Sequence, residues 1–191
     1  MSDLCRSLIK SLKNLCTSKK GKNSESSNNK KLSGIIPDLV ASRKIVFLGV
    51  GNIERGDDSA GCLVIQELKK IVGKRKDKKI LLLDGGESPE SLTGEIRAFG
   101  PDLTAIVDAA VAGHEPGTVY IVDRDKISQD DLTTHRMPLT LLICYLEESV
   151  GCRVIMIGIE PKNLRLGDRV SEEVKASVQI LSEQLARIMK A

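Results

Sequence analysis

Tryptophan is absent from this 191-residue chain, and two tyrosines and two phenylalanines complete its aromatic content. The core must therefore be built from Ile, Leu, Val and Ala, and a nucleic-acid surface made of stacked rings and a basic stripe is not on offer. No apolar run approaches the ~20 residues needed to span a bilayer. The first residues lack both the continuous apolar stretch and the small-residue cleavage site of a secretory signal. Cysteines number five, Cys5, Cys16, Cys62, Cys144 and Cys152, with no C-x-x-C pair among them. An odd, unpaired set argues against a disulfide framework and for reduced thiols acting as small hydrophobes in the cytoplasm. Neither a P-loop nor a Gly-x-Ser-x-Gly nucleophile elbow occurs.

What the chain does have is an uneven charge. The formal net charge of +3 combines ten Lys and Arg against three Asp and Glu in residues 1–44 with nineteen against twenty-three beyond. Residues 1–43 read as a basic extension. Leu4, Leu8, Leu12 and Leu15 recur at helical spacing among Arg6, Lys10 and Lys13, and the stretch 17–31 is polar enough to be a flexible linker. Residues 1–16 are expected to be a marginal helix without a dedicated task, because so short a helix is unstable alone. A peripheral membrane or partner contact is the alternative. Residues 44–191 are long enough for one domain.

In that body apolar strands are predicted at 44–50, 79–84, 103–109, 118–123 and 153–159, with helices near 58–72, 88–98, 138–149 and 171–190. Ser88-Pro89 marks one helix start and Ser171 another, and Val174, Val178, Leu181, Leu185 and Ile188 form one stripe on the last helix. Such alternation predicts an α/β domain with a mostly parallel five-stranded sheet covered by helices on both faces, and an edge strand after the turn His114-Glu-Pro-Gly117.

Ligands in open α/β sheets sit beyond the carboxyl ends of the strands. Strand one runs into Gly49-Val-Gly-Asn52 and then Asp57-Asp58; strand two ends at Asp84-Gly85-Gly86; strand three ends at Asp108. A phosphate site would leave the helix start free for an anion, whereas two carboxylates there favour a cation. A dinucleotide fingerprint begins correctly at Gly49 and Gly51 but meets Glu54 where its third glycine belongs. Clustered carboxylates repel unless a cation or shared proton relieves them, so Asp58, Asp84 and Asp108 are metal-ligand or acid–base candidates. More ordinary roles compete: Asp57 as a cap or first-turn residue, Asp84 as a turn former. His114 is expected to be exposed in its turn. His135, just before a helix start, is the second imidazole; two carboxylates and one imidazole suit a divalent ion such as Ni²⁺ or Zn²⁺.

In order and spacing, Gly49-Val-Gly-Asn-x-x-x-Gly-Asp-Asp58, Asp84-Gly-Gly with Glu87-Ser-Pro-Glu90, Val107-Asp-Ala109 and Thr134-His-Arg-Met-Pro138 resemble the hydrogenase maturation endopeptidases. The run Thr133-Thr-His-Arg-Met-Pro-Leu139 and Ile159-Glu-Pro161 are most similar to the hydrogenase-3, or formate hydrogenlyase, branch. The resemblance covers residues 44–190 and none of the extension. It implies an endopeptidase that trims the C-terminal extension of a [NiFe] hydrogenase large-subunit precursor after nickel insertion. It also implies a metal-contacting trio at Asp58, Asp108 and His135, and Asp84-Gly85-Gly86 in substrate recognition or catalysis. Ser59 departs from the glycine usual there. Ni²⁺ is expected to arrive on the substrate, and the protein to act as a monomer. Peptide hydrolysis is open between metal-assisted attack, which we favour, and a carboxylate acid–base pair. A non-catalytic nickel-binding assembly chaperone is the alternative function.

Overall fold

The computed structural model describes residues 36–73, 78–123 and 138–189. Five strands form one sheet: β1 (Ile45–Val50), β2 (Ile80–Gly86), β3 (Leu103–Ala109), β4 (Val119–Ile121) and β5 (Arg153–Ile159), in spatial order β2-β1-β3-β5-β4. All neighbours are parallel except β4, which pairs antiparallel with β5 at the edge. The helices are α1 (Ile36–Ala41), α2 (Ala60–Val72), α3 (Thr93–Phe99), α4 (Leu139–Tyr145) and α5 (Glu172–Met189).

The near-continuous aliphatic strands follow from burial on both faces. Odd positions of β1 and β3, including Phe47, Leu103 and Ala105, share a core with Leu39 of α1, Val64 and Leu68 of α2, and Val178 and Leu181 of α5. Even positions, including Val46, Leu48 and Ile106, face Ile96 of α3 and Leu142 and Ile143 of α4. The result is the expected α/β domain with helices on both faces. All five apolar stripe residues of α5 are buried.

Several expected boundaries move. Helix α1 falls in the stretch assigned from sequence to the extension, yet Leu39 is 2% exposed in the common core and Asp38 pairs with Arg153 at 2.8 Å. Strand β2 continues through Asp84, Gly85 and Gly86, where β1 pairs first with Asp84 and then with Gly86, skipping Gly85. A bulge of this kind bends the strand end and re-aims its residues. The helices near 58, 88 and 138 each divide. A 3₁₀ turn at Gly56–Ser59 precedes α2, another at Pro89–Leu92 precedes α3, and a π-helical turn at Leu146–Val150 follows α4. The Ser88 side chain does not cap its helix, whereas the Ser171 hydroxyl accepts a bond from Val174 N–H. Cys62 and Cys152 are buried as small hydrophobes, but Cys144 is exposed.

Backbone lies directly on backbone where β1 and β3 meet α2. A Cβ at Gly61 would overlap the carbonyl oxygens of Val50 and Val107, and one at Gly49 would overlap that of Gly61. The close-packing duty that a dinucleotide fingerprint gives to position 54 is met here by Gly61, so Glu54 is free to sit in an exposed loop. Gly61→Ala is expected to lower stability by about 2 kcal/mol, since neither opposing strand can yield. A urea midpoint equal to wild type would show that the layers are not packed this tightly.

Candidate functional site: an acidic rim above the sheet

The rim is set by three adjacent strands. Gly51, with φ of 136°, carries the chain off β1, and its N–H donates to Gly86 O at 3.0 Å, so the ends of β1 and β2 are joined. A side chain at Gly51 would collide with the carbonyl of Asp58. That close approach brings the 3₁₀ turn back over the strand end. Asn52 N–H then donates to Asp58 Oδ2 at 3.2 Å, Asn52 Nδ2 donates to Glu87 Oε1 at 2.5 Å, and Asn52 Oδ1 accepts from Glu54 N–H at 2.7 Å. Asn52 thereby links the loop bearing Asp58 to the segment just after Asp84. Sequence reasoning quoted this asparagine but gave it no role; its position one residue past the glycine turn was the available signal.

The two adjacent aspartates do different things. Asp58 is half-buried at the rim. Asp57 is fully buried: its Oδ1 accepts from Ser171 N–H at 2.7 Å, and its Oδ2 from Lys162 N–H at 2.8 Å, Asn163 N–H at 3.1 Å and the Ser171 hydroxyl at 3.0 Å. It is a first-turn residue, as expected, but the groups it caps belong to the β5–α5 connection over 100 residues away. Ser59, in place of the usual glycine, is also buried and spends its hydroxyl on Gly56 O at 2.6 Å.

Asp84 is exposed on the rim, with Gln66 Nε2 of α2 donating to its Oδ2 at 3.1 Å. Asp108 is half-buried, and its Oδ1 accepts from the N–H of Ala109 at 2.8 Å. Cys62 lies below both. Its buried thiol approaches Gly51 O at 3.5 Å, and burial, then the Asp84 carboxylate, then at longer range Asp108, push it up to about 12. Tyr120 donates its hydroxyl to Ala110 O at 2.6 Å; burial first, then the charges of Glu160 and Asp108, raise its phenol. The structure thus gathers Asp58, Asp84 and Asp108 at the carboxyl ends of β1, β2 and β3. His135 lies outside the described residues. Among those residues no group of three His, Cys, Asp or Glu is arranged as a metal site. His114 is half-buried rather than exposed, its ring edge-on to Tyr120 at 4.8 Å.

Glu160 is the second buried carboxylate among the described residues, and the sequence assigns it no role. It is 4% exposed and accepts from Ala112 N–H at 2.9 Å and Gly113 N–H at 3.2 Å, which ties down the β3–β4 loop. Its position directly after the apolar β5 was the visible signal.

A three-layer α/β/α domain with carboxylates from three neighbouring parallel strands around a glycine turn defines the class. Comparison narrows it. The profile of the hydrogenase maturation protease family (HycI) matches residues 62–188. The hydrogenase 3 maturation protease of Escherichia coli K12 is 36% identical over 141 residues, 73% of this chain and 87% of that protein. A putative hydrogenase maturation protease of Methanocaldococcus jannaschii is 30% identical over 160 residues, 82% and 94% of the two chains. The crystal structure of the [NiFe] hydrogenase maturation protease HycI from Thermococcus kodakarensis superposes with a TM-score of 0.74 at 36% identity, over 83% of this chain and all of that one. The HybD endopeptidase of E. coli reaches 0.59 at 26%. The chain belongs to the hydrogenase maturation protease family, a family of endopeptidases, and its relatives include proteases of the hydrogenase-3 type.

Two outcomes follow from the site. Asp57→Ala strands three N–H groups and a hydroxyl, so it is expected to cost about 3 kcal/mol or more, whereas Asp58→Asn stays within about 0.5 kcal/mol of wild type. Equal denaturation midpoints for the two variants would contradict this division of labour. The folded protein holds the Cys62 proton to about 12, while the unfolded chain releases it near the ordinary 9.0. Unfolding therefore releases a proton in that window, and stability falls as pH rises through it. Between about pH 8 and 10 the wild type is expected to lose stability more steeply than Cys62→Ala; parallel curves would refute the assignment.

Proposed function

We propose that this protein removes the C-terminal extension of a [NiFe] hydrogenase large-subunit precursor after nickel insertion, with nickel carried in by the substrate. The observation that carries the reading is the placement of Asp84 and Asp108 at the carboxyl ends of β2 and β3 and of Asp58 in the turn that folds back over the end of β1. Asp58 and Asp108, together with His135, offer donors to open coordination positions on the precursor's nickel. In the sequence His135 comes three residues before Pro138. A precursor lacking the metal makes none of those bonds, and that difference in affinity is the checkpoint.

Asp84, held by Gln66 at the bulged end of β2, lies beside Gly85 and Gly86; the Cβ that Gly86 lacks would point into open space, so a peptide can approach that backbone closely, while the one Gly85 lacks would meet Leu48 and Pro89. Asp84 is assigned to orienting the scissile segment or to proton transfer, and the substrate's metal to polarising the carbonyl or activating water. We favour this metal-assisted route over a purely aspartic one. The location is cytoplasmic, in keeping with free Cys62, Cys144 and Cys152; no helix among the described residues is long and apolar enough to cross a membrane. The enzyme is taken to act as a monomer.

Intact-mass analysis of a cognate precursor, incubated with the protein before and after nickel loading, tests the proposal. Loss of a defined C-terminal peptide from the loaded sample alone is expected, and Asp58→Asn and His135→Ala are expected to abolish it while melting like wild type. Cleavage irrespective of nickel removes the checkpoint. A tight complex with no mass change replaces the protease with a non-catalytic assembly chaperone.

A further inference from the structure

The three most exposed large apolar side chains among the described residues are Val111 at 72%, Leu166 at 71% and Ile53 at 69%. A lone exposed apolar residue means little. These three, however, sit on three different connections, all leaving the carboxyl end of the sheet: Ile53 after β1, Val111 after β3 and Leu166 after β5. Of the remaining exposed ones, Leu141 at 56% lies on α4, and Ile71 at 39% and Ile180 at 38% lie on the helical layer of α2 and α5. Ile71 borders a groove of about 750 Å³ there, away from the rim.

The connections are fastened to one another. Gly167 N–H donates to Glu54 O at 2.7 Å, and the Arg55 guanidinium donates twice to Leu164 O, at 3.2 and 3.1 Å, so the segments next to Ile53 and Leu166 are in direct contact. Asp57 secures the same β5–α5 connection from below, and Glu160, at its start, holds the Val111 loop. Two buried carboxylates are thus spent on immobilising segments that show apolar side chains to water. Burying a carboxylate is unfavourable even when it is paired, and exposed Ile, Leu and Val return nothing to folding. Rigid presentation pays off on association, where preordered side chains lose less entropy.

We propose that Ile53, Leu166 and Val111 form an apolar docking collar for the folded large-subunit precursor. The collar would receive apolar side chains that border the precursor's metal-bearing cleavage site. This rests on the endopeptidase reading. The occupant follows from continuity with the rim: the Ile53 connection itself carries Asp58, and the Val111 loop leaves directly from Asp108. A peptide reaching those carboxylates approaches the same end of the sheet from which the three connections leave. A second copy of this chain seated there would cover the rim.

The test compares wild type, the double variant Ile53→Ser/Leu166→Ser and the control Ile71→Ser/Ile180→Ser in steady-state cleavage of nickel-loaded, full-length precursor. Melting curves verify that all three are folded. The collar variant is expected to raise KM about tenfold or more with kcat held within about twofold, and the control to leave both unchanged. An unchanged KM for the collar variant, or an equal rise for the control, overturns the collar. If wild type binds the precursor without shortening it, the comparison moves to Kd. A roughly tenfold weakening confined to the collar variant then keeps the collar while the protease reading falls. Absence of any binding by wild type overturns both.

Discussion

The carboxylate of Asp57 is the point on which the upper end of the molecule is hung. It lies within the turn that leaves β1, yet its hydrogen bonds go to the connection between β5 and α5 and to the first residue of the last helix's N-terminus. One buried side chain thus fixes three things at once: the return of the 3₁₀ turn over Gly51, the path of residues 162–163, and the start of α5. Taking a carboxylate out of water is unfavourable, and only a full set of donors makes it tolerable. Four donors converge here, so the arrangement is all-or-none. Removing any part of the loop would leave a buried charge with open lone pairs.

That constraint explains why neighbouring aspartates have separate jobs. On a tight 3₁₀ turn, adjacent side chains diverge. Once Asp57 is directed inward to the β5–α5 connection, Asp58 is left at the rim, within reach of Asn52. The pair is one anchor and one site residue, and the anchor holds the site residue in place. The same logic runs along the sheet. The bulge at Gly85 separates Asp84 from Gly86, so that Gly86 can hold Gly51 while Asp84 stays with Gln66 at the edge of the cleft. Cys62 beneath them stays a protonated thiol, which adds no charge to the crowded carboxylates.

Much of this was legible in order along the chain. Aliphatic runs of strand length alternating with amphipathic helices fix a parallel sheet covered on both sides, because that is the arrangement that buries both faces of such strands. The position of Asp58, Asp84 and Asp108 after those runs puts them on one rim. The partners of Asp57 and Glu160 were not legible, since their hydrogen bonds span about a hundred and about fifty residues and leave no periodic trace. Helix α1 was missed because six residues after a polar linker carry too little pattern, and Leu39 is the buried residue among its described side chains. Glu54 stands where a dinucleotide fingerprint has its third glycine. That the packing glycine had moved to position 61 became visible only with α2 laid against β1 and β3.

By itself, the sequence determined the fold class, the order of strands and helices along the chain, and the acidic residues that follow the strands. Each follows from local composition: hydrophobic period, glycine at turns, and carboxylates at strand termini. The tertiary structure alone decided which aspartate of the pair is buried, which glycine bears the close approach, how the three connections are tied, and that Ile53, Val111 and Leu166 are left facing water around the site. Those depend on distances between segments far apart in the chain, and such distances exist only once the sheet has ordered its strands.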